Sequence, residues 1–249
     1  MIEPIARAFL KARRRGGALV VPEPGAALAE VADAYAVQER VVAEVGPVGA
    51  WKVGAASPAA EPVRAPILAA TIHASPAALP AGGFRVLGIE AEIAYRLGAD
   101  LPARARPYDA EEVAAAIEGM LPAIEVVDTR LADHAAAPPL WKLADNQING
   151  GLVTGTLAAD WRRFDPLTQP VRLEVDGVVV AKGRGGNTAG DPFRLLVWLA
   201  NRCGAHCGGL KRGQIVTTGS LTGLRFVAPG ARVHALLDGL GEVALTFPR

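Results

Sequence analysis

Between residues 2 and 45 the apolar positions fall three and four apart, the spacing of helices with one buried face. Ile2, Ile5, Ala6, Phe9 and Leu10 make the first such stripe, and the basic run Lys11 to Arg15 suits a helix C-terminus. Pro22-Glu23-Pro24-Gly25 predicts a turn, after which Val31, Ala34, Tyr35, Val41 and Val42 predict a second helix from about Leu28 to Val45. From Ala50 onward the pattern shifts to short apolar runs cut by Gly and Pro, the mark of strands. The predicted strands are Ala50–Gly54, Leu87–Arg96, Ala123–Asp128, Gly151–Thr156, Val171–Glu174, Val178–Lys182, Ile215–Thr218, Arg232–Leu237 and Val243–Phe247. Asp176-Gly177 between two of them is a hairpin signal. Two more helices are expected at Ala110–Gly119 and Pro192–Arg202, and Ala55–Phe84 reads as a long loop of the kind that carries function.

Several connections are too short for βαβ crossovers, so the expected class is α+β with a mixed, largely antiparallel β-roll core. The division expected is an N-terminal helical cap at 1–48 and a catalytic domain at 49–249. A chain of 249 residues with 51% apolar and 20% charged residues is long and apolar enough to bury its own core. Twenty-six basic residues against 25 acidic ones leave +1, with no basic stripe, which argues against nucleic acid and acidic membrane as partners. Cys203 and Cys207 cannot build a disulfide framework, no signal peptide is recognisable, and no apolar run approaches the length of a membrane span. A cytoplasmic protein is the expectation.

The chemistry concentrates in Leu87-Gly88-Ile89-Glu90-Ala91-Glu92-Ile93-Ala94-Tyr95. Strand alternation puts Glu90 and Glu92 on one face, with Cα atoms roughly 6–7 Å apart. Buried side by side, two carboxylates repel unless a cation neutralises them, and oxygen ligands suit a hard divalent ion. Glu125 interrupts the apolar run Ala123–Val127 and is a third candidate. The other reading stays open: a solvated strand face for Glu90 and Glu92, and an arginine partner for Glu125. Lys52, between Trp51 and Val53, needs an anionic neighbour; Asp145 and Asn146 are candidates for the pocket or for a turn. Gly183-Arg184-Gly185-Gly186-Asn187 reads as a tight turn more readily than a phosphate cradle, and Cys203, His206 and Cys207 read as core groups more readily than zinc ligands. Gly-x-Ser-x-Gly is absent, so acyl-enzyme chemistry has no support.

The phrases Gly88–Ala94 and Pro122–Val127 carry a resemblance, joined by Gly49–Gly54, Ala144-Asp145-Asn146, Gly183-Arg184-Gly185, Val197–Ala200 and Thr217-Thr218-Gly219-Ser220. In that order, from about Tyr35 to Phe247, the chain resembles the 2-keto-4-pentenoate hydratase family. That family also contains 4-oxalocrotonate decarboxylases and 2-oxohept-3-ene-1,7-dioate hydratases, and belongs to the fumarylacetoacetate hydrolase superfamily. The resemblance implies the fold of the fumarylacetoacetate hydrolase C-terminal domain, a homo-oligomer, and Mg2+ or Mn2+ held by Glu90, Glu92 and Glu125. It implies that Lys52 lies beside the substrate's carboxylate or 2-oxo group, with Thr218, Gly219 and Ser220 lining the pocket. The implied activity is a hydratase on a small 2-oxo-enoate such as 2-hydroxypenta-2,4-dienoate, in aromatic-compound catabolism.

One position departs from the family. Hydratases of this kind carry an aspartate where this chain has Ala70, and His73, three residues on, is the candidate replacement acid/base. The alternatives are a decarboxylase or tautomerase, which need no water delivery, a hydrolase cleaving a carbon–carbon bond of a 1,3-diketone acid, and a silent 2-oxo acid binder.

Overall fold

The computed structural model describes residues 2–15, 17–21 and 28–249; the turn predicted at Pro22-Glu23-Pro24-Gly25 lies outside them. Two helices come first, α1 (Ile2–Arg15) and α2 (Val31–Val45). Helix α2 starts later than the apolar pattern predicts because the Asp33 carboxylate accepts from the N–H groups of Ala29, at 2.8 Å, and Glu30, at 3.2 Å. That capping defines the helix start at Val31. The strands and helices that follow are β1 (Val48–Gly54), β2 (Val63–Leu68), β3 (Ile72–Ala74), β4 (Ala77–Ala78), β5 (Gly88–Leu97), α3 (Ala110–Ala115), β6 (Ile117–Val127) and α4 (Pro139–Ala144). The chain continues through β7 (Asn149–Thr154), β8 (Pro170–Val175), β9 (Val178–Arg184), α5 (Pro192–Arg202), β10 (Ile215–Ser220), β11 (Arg225–Phe226), β12 (Arg232–Leu237) and β13 (Gly241–Thr246).

Seven strands run in the order β2-β1-β10-β5-β6-β7-β3, with β11 also pairing to β5; the second sheet runs β4-β13-β12-β8-β9. Pairing is antiparallel except for β1–β10, β3–β7 and β4–β13. The fold is therefore α+β with a mixed, largely antiparallel core, as the patterning predicts. Three sequence expectations need correction. The stretch expected as one loop, Ala55–Phe84, contains β2, β3 and β4. Pro66 disguises β2, yet it is tolerated because β2 is an edge strand pairing only with β1. The helix expected to reach Gly119 stops at Ala115, because Ile117 and Gly119 enter the ladder opposite Leu97 and Arg96. Helix α4, only six residues long, has no counterpart in the sequence reading.

The larger sheet has two unlike faces. Trp51, Ile89, Ile93, Tyr95, Ile124 and Val216 pack in the main core with Leu195, Leu196 and Leu199 of α5 and with Leu173, Val233 and Val243 of the smaller sheet. The opposite face holds a second cluster, in which Ala50, Ala94 and Ala123 stand among Ile67, Leu121 and Leu152. The short alanine side chains leave room for the sheet to curl until β2 and β7, far apart in strand order, come into contact. The third cluster joins α1 and α2 to Trp141, Leu143 and Ala144 of α4. Gln38 of α2, fully buried, locks that arrangement by donating to the Leu143 carbonyl at 2.6 Å.

His206 supplies a further tie between α2 and β2. Arg64 can only donate, so its 3.2 Å contact makes His206 Nδ1 an acceptor and leaves the proton on Nε2, which faces the Tyr35 carbonyl at 3.3 Å. Burial first, then the charge of Arg64, push the imidazole down to about 4. A histidine with a depressed value stabilises the fold fully above its ordinary 6.5 and loses that contribution as pH falls through 4. The urea-unfolding difference between parent and His206→Gln is expected to narrow by about 2–3 kcal/mol between pH 7.5 and 4.5. An unchanged difference would contradict the neutral, buried imidazole.

Candidate functional site

Lys52 on β1, Glu90 and Glu92 on β5, Glu125 on β6 and Gly219 and Ser220 on β10 line one cavity of about 710 Å³. Strand register explains the meeting. Glu90 lies directly opposite Glu125 in the β5–β6 ladder, and Glu92 lies opposite Ser220. Lys52 joins the same face through the rung Lys52–Thr217–Ala94. Val53, Val63, Leu140, Leu143 and Leu224 form an apolar wall to the same space.

Like charges facing each other across a ladder are destabilising, and these are out of water: Glu92 is 1% exposed and Glu125 fully buried. The Lys52 ammonium answers part of that charge, donating to Glu125 Oε1 at 2.5 Å and to the Gln147 carbonyl at 3.1 Å. Burial alone lowers the lysine, but the charges of Glu125 and Glu90 outweigh it and hold Lys52 above its ordinary range, protonated. Glu90 and Glu92 are both pushed above the usual carboxylate range, chiefly by burial and next by the charge of Glu125. The Gly219 N–H donates to Glu92 Oε2 at 2.9 Å. That contact needs glycine: φ is +95°, and a Cβ would sit 3.2 Å from Asn187 Nδ2.

The donor set fits a hard divalent cation. Glu90, Glu92 and Glu125 each offer an oxygen, and the three lie within 4.8 Å of one another. Asn149 Nδ2, at 2.9 Å, and Lys52 Nζ both occupy Glu125 Oε1, while Oε2 is buried with no hydrogen-bond partner. Three carboxylates less one ammonium leave two negative charges, which a divalent ion balances.

The other sequence-predicted residues fall elsewhere. His73 does not line the cavity. It shares the register of Val153, which packs with Ile124 on the sheet face opposite Glu125. Ala70 is exposed in a short turn after β2. Asp145 and Asn146 are also outside the lining. The Asp145 carboxylate is fully buried and taken up by Thr129 Oγ1 at 2.9 Å, Arg130 N at 2.8 Å and Arg130 Nε at 2.6 Å. Asn146 Nδ2 donates to the Pro66 carbonyl. Thr218 is buried, and its hydroxyl donates to the Ile93 carbonyl at 3.1 Å.

Sequence reasoning overlooked Gln147 and Asn149. Asn146, Gln147 and Ile148 have φ of 52°, 51° and 54°, three left-handed residues in a row without a glycine. Each costs roughly 1–2 kcal/mol in that conformation, so the surroundings must enforce it. Gln147 and Ile148 give no hint of such a turn; the nearest signals were Asn146, a residue type that accepts positive φ, and the polar run Asp145-Asn146-Gln147 ahead of a buried strand.

A family model described as fumarylacetoacetate hydrolase C-terminal matches residues 36–247. The chain is 30% identical to 2-keto-4-pentenoate hydratase 2 of Dechloromonas aromatica, over 99% of this chain and 98% of that protein. It is 32% identical to 2-hydroxyhexa-2,4-dienoate hydratase of Comamonas testosteroni over 68% of this chain and 63% of that protein. The structure superposes on 4-oxalocrotonate decarboxylase from Pseudomonas putida G7, complexed with magnesium and adipate, with a TM-score of 0.85 and 25% identity, covering 99% of this chain and 97% of that one. A match across most of the chain, joined to full-length likeness in sequence and fold, makes this chain a member of the fumarylacetoacetate hydrolase C-terminal family.

Proposed function

We propose that the chain is a magnesium- or manganese-dependent lyase that hydrates a small 2-oxo-enoate such as 2-hydroxypenta-2,4-dienoate. The observation that carries the reading is the trio Glu90, Glu92 and Glu125, with oxygens within 4.8 Å and a protonated Lys52 beside it, in a cavity with an apolar wall. The hydratases and the magnesium-bound decarboxylase among its relatives support it. Glu90, Glu92 and Glu125 would hold the cation, which a 2-oxo acid could chelate through its carboxylate and carbonyl oxygens and which would supply Lewis-acid polarisation of that carbonyl. Lys52, placed by Glu125 Oε1 and the Gln147 carbonyl, anchors the substrate's carboxylate or oxo oxygen and donates where negative charge gathers. Ser220 orients the tail, and Val53, Val63, Leu140, Leu143 and Leu224 receive its hydrocarbon and thin out water around it.

A second reading, a 4-oxalocrotonate-type decarboxylase or a tautomerase, is favoured by one observation. Among the described residues the cavity is lined by no histidine and by no carboxylate beyond the three glutamates, so no separate group is placed to deliver water. Decarboxylation passes through the same stabilised enolate without water. The missing histidine also weighs against the carbon–carbon hydrolase reading.

Two measurements test this. The first is thermal unfolding with and without Mg2+. Raised carboxylate values stabilise the fold below the ordinary 4.5, and that contribution is lost as pH rises through the folded values, so the metal-free protein weakens toward alkaline pH. The gain from Mg2+ is therefore expected to be larger at pH 8 than at pH 5.5, about 2.7 kcal/mol at a hundredfold Kd. Glu92→Gln is expected to abolish the gain; an equal gain in that variant would remove the trio as the site. The second follows the ultraviolet absorbance of 2-hydroxypenta-2,4-dienoate. Metal-dependent loss of the dienol band is expected, abolished by chelator and lowered about a hundredfold in kcat by Lys52→Met. Carbon dioxide release from 4-oxalocrotonate, with no loss of the dienoate, would decide for the decarboxylase.

A further inference from the structure

The left-handed turn Asn146–Gln147–Ile148 and the residue that follows it, Asn149, hold the two members of the Lys52–Glu125 pair, and the turn's shape is imposed from behind. Its main-chain carbonyl at Gln147 accepts from Lys52 Nζ at 3.1 Å. Asn149, the next residue after the turn, donates from Nδ2 to Glu125 Oε1 at 2.9 Å. One end of the turn is closed by Ile148 N on the Asp145 carbonyl and by Asp128 N on the Ile148 carbonyl, both at 2.9 Å. Asn146 Nδ2 ties the other flank to the Pro66 carbonyl of β2 at 3.0 Å.

Asp145 is the anchor of this arrangement. Its carboxylate takes Thr129 and two donors of Arg130, its carbonyl takes Arg130 NH2 at 3.0 Å, and Arg13 of α1 stands 3.8 Å away. No unconstrained chain would hold three successive non-glycine residues at φ near +50°, so the buried clamp is what keeps the Gln147 carbonyl pointed at Lys52. Because Lys52 and Asn149 are both spent on Oε1, the second oxygen of Glu125 is the one left without a partner.

We propose that Asp145 and the turn Asn146–Gln147–Ile148 are a positioning device. The turn aims the Lys52 ammonium and orients Glu125 so that Oε2 faces the acidic cluster. Asp145 touches neither side chain and acts only through the turn; activity depends on it for geometry, beyond what it does for folding. The turnover arm of the test rests on the lyase reading; the labelling arm does not.

The test compares Asp145→Asn with the double variant Asp145→Asn, Gln147→Gly. Asparagine weakens the clamp, while glycine takes up positive φ without strain and so keeps the turn that the clamp otherwise has to enforce. Trace acetylation of Lys52 by acetic anhydride, read by peptide mass spectrometry, is expected to run several-fold faster than in the parent in Asp145→Asn and to return toward the parent rate in the double variant. In step, kcat is expected to fall about tenfold in Asp145→Asn with KM little changed, since misplacement of a reacting group is felt in kcat, and to recover with the glycine. Thr129→Val, which removes one donor to Asp145, should move labelling and kcat in the same direction as Asp145→Asn by a smaller amount. Lys52 labelling unchanged in both clamp variants, or not restored by the glycine, overturns the proposal, as does activity that simply follows Tm. If the parent turns over neither dienoate nor 4-oxalocrotonate, the lyase reading fails and the labelling result still decides this one.

Discussion

Three carboxylates and one ammonium crowd a small volume inside a curled sheet, and much of the surrounding structure exists to make that burial bearable. Lys52 cancels one charge at 2.5 Å, Asn149 and the Gly219 N–H share what remains, and burial beside Glu125 pushes Glu90 and Glu92 above the usual carboxylate range. A buried ion pair stripped of one partner is worse than none, because the remaining charge has no solvent to relax into. The same logic explains why Lys52, Glu125 and the pair Glu90 and Glu92 are divided among three strands. Each is held by a ladder that would have to break before its charge could reposition.

The inner face of the large sheet sets alanines among its larger aliphatic residues. Ala50, Ala94 and Ala123 leave room for neighbouring strands to close inward and for the glutamate stems beside them. Gly49 marks one close approach: a Cβ there would fall 2.7 Å from Ile72 Cδ1 and 2.8 Å from the Ala69 backbone. The bulky aliphatics and Trp51 go to the other face, where α5 and the second sheet cover them. Stability and chemistry are thus separated by nothing thicker than one sheet.

Alternation made the two glutamates of β5 legible, since period two leaves no other face for them, and Asp176-Gly177 announced its hairpin through residues that accept positive φ. Glu125 was legible as a charge inside an apolar strand. What stayed hidden was decided by tertiary contacts. Pro66 reads as a breaker until β2 is known to be an edge strand. Ile72, not His73, shares the rung of Leu152 and Glu125, so His73 falls one position along and on the other face, a parity that sequence alone could not assign in so short a strand as β3. Asp145 looked like a pocket residue because it is acidic and lies in a motif; Arg130, which claims it, is fifteen residues earlier and gave no periodic signal. The left-handed turn had no glycine to betray it.

The parallel pairing of β1 with β10 joins Ala50 to Ile215, and it is through β10 that Lys52 reaches the strand bearing Glu90 and Glu92. Almost the whole polypeptide must therefore leave the ribosome before the lysine and the carboxylates can share a sheet. Such distant closure carries a large entropic barrier and is met late in folding. A growing chain holds its glutamates on β5 and β6 without their lysine, and no cation can template the complete centre until the strand ending at Ser220 has docked.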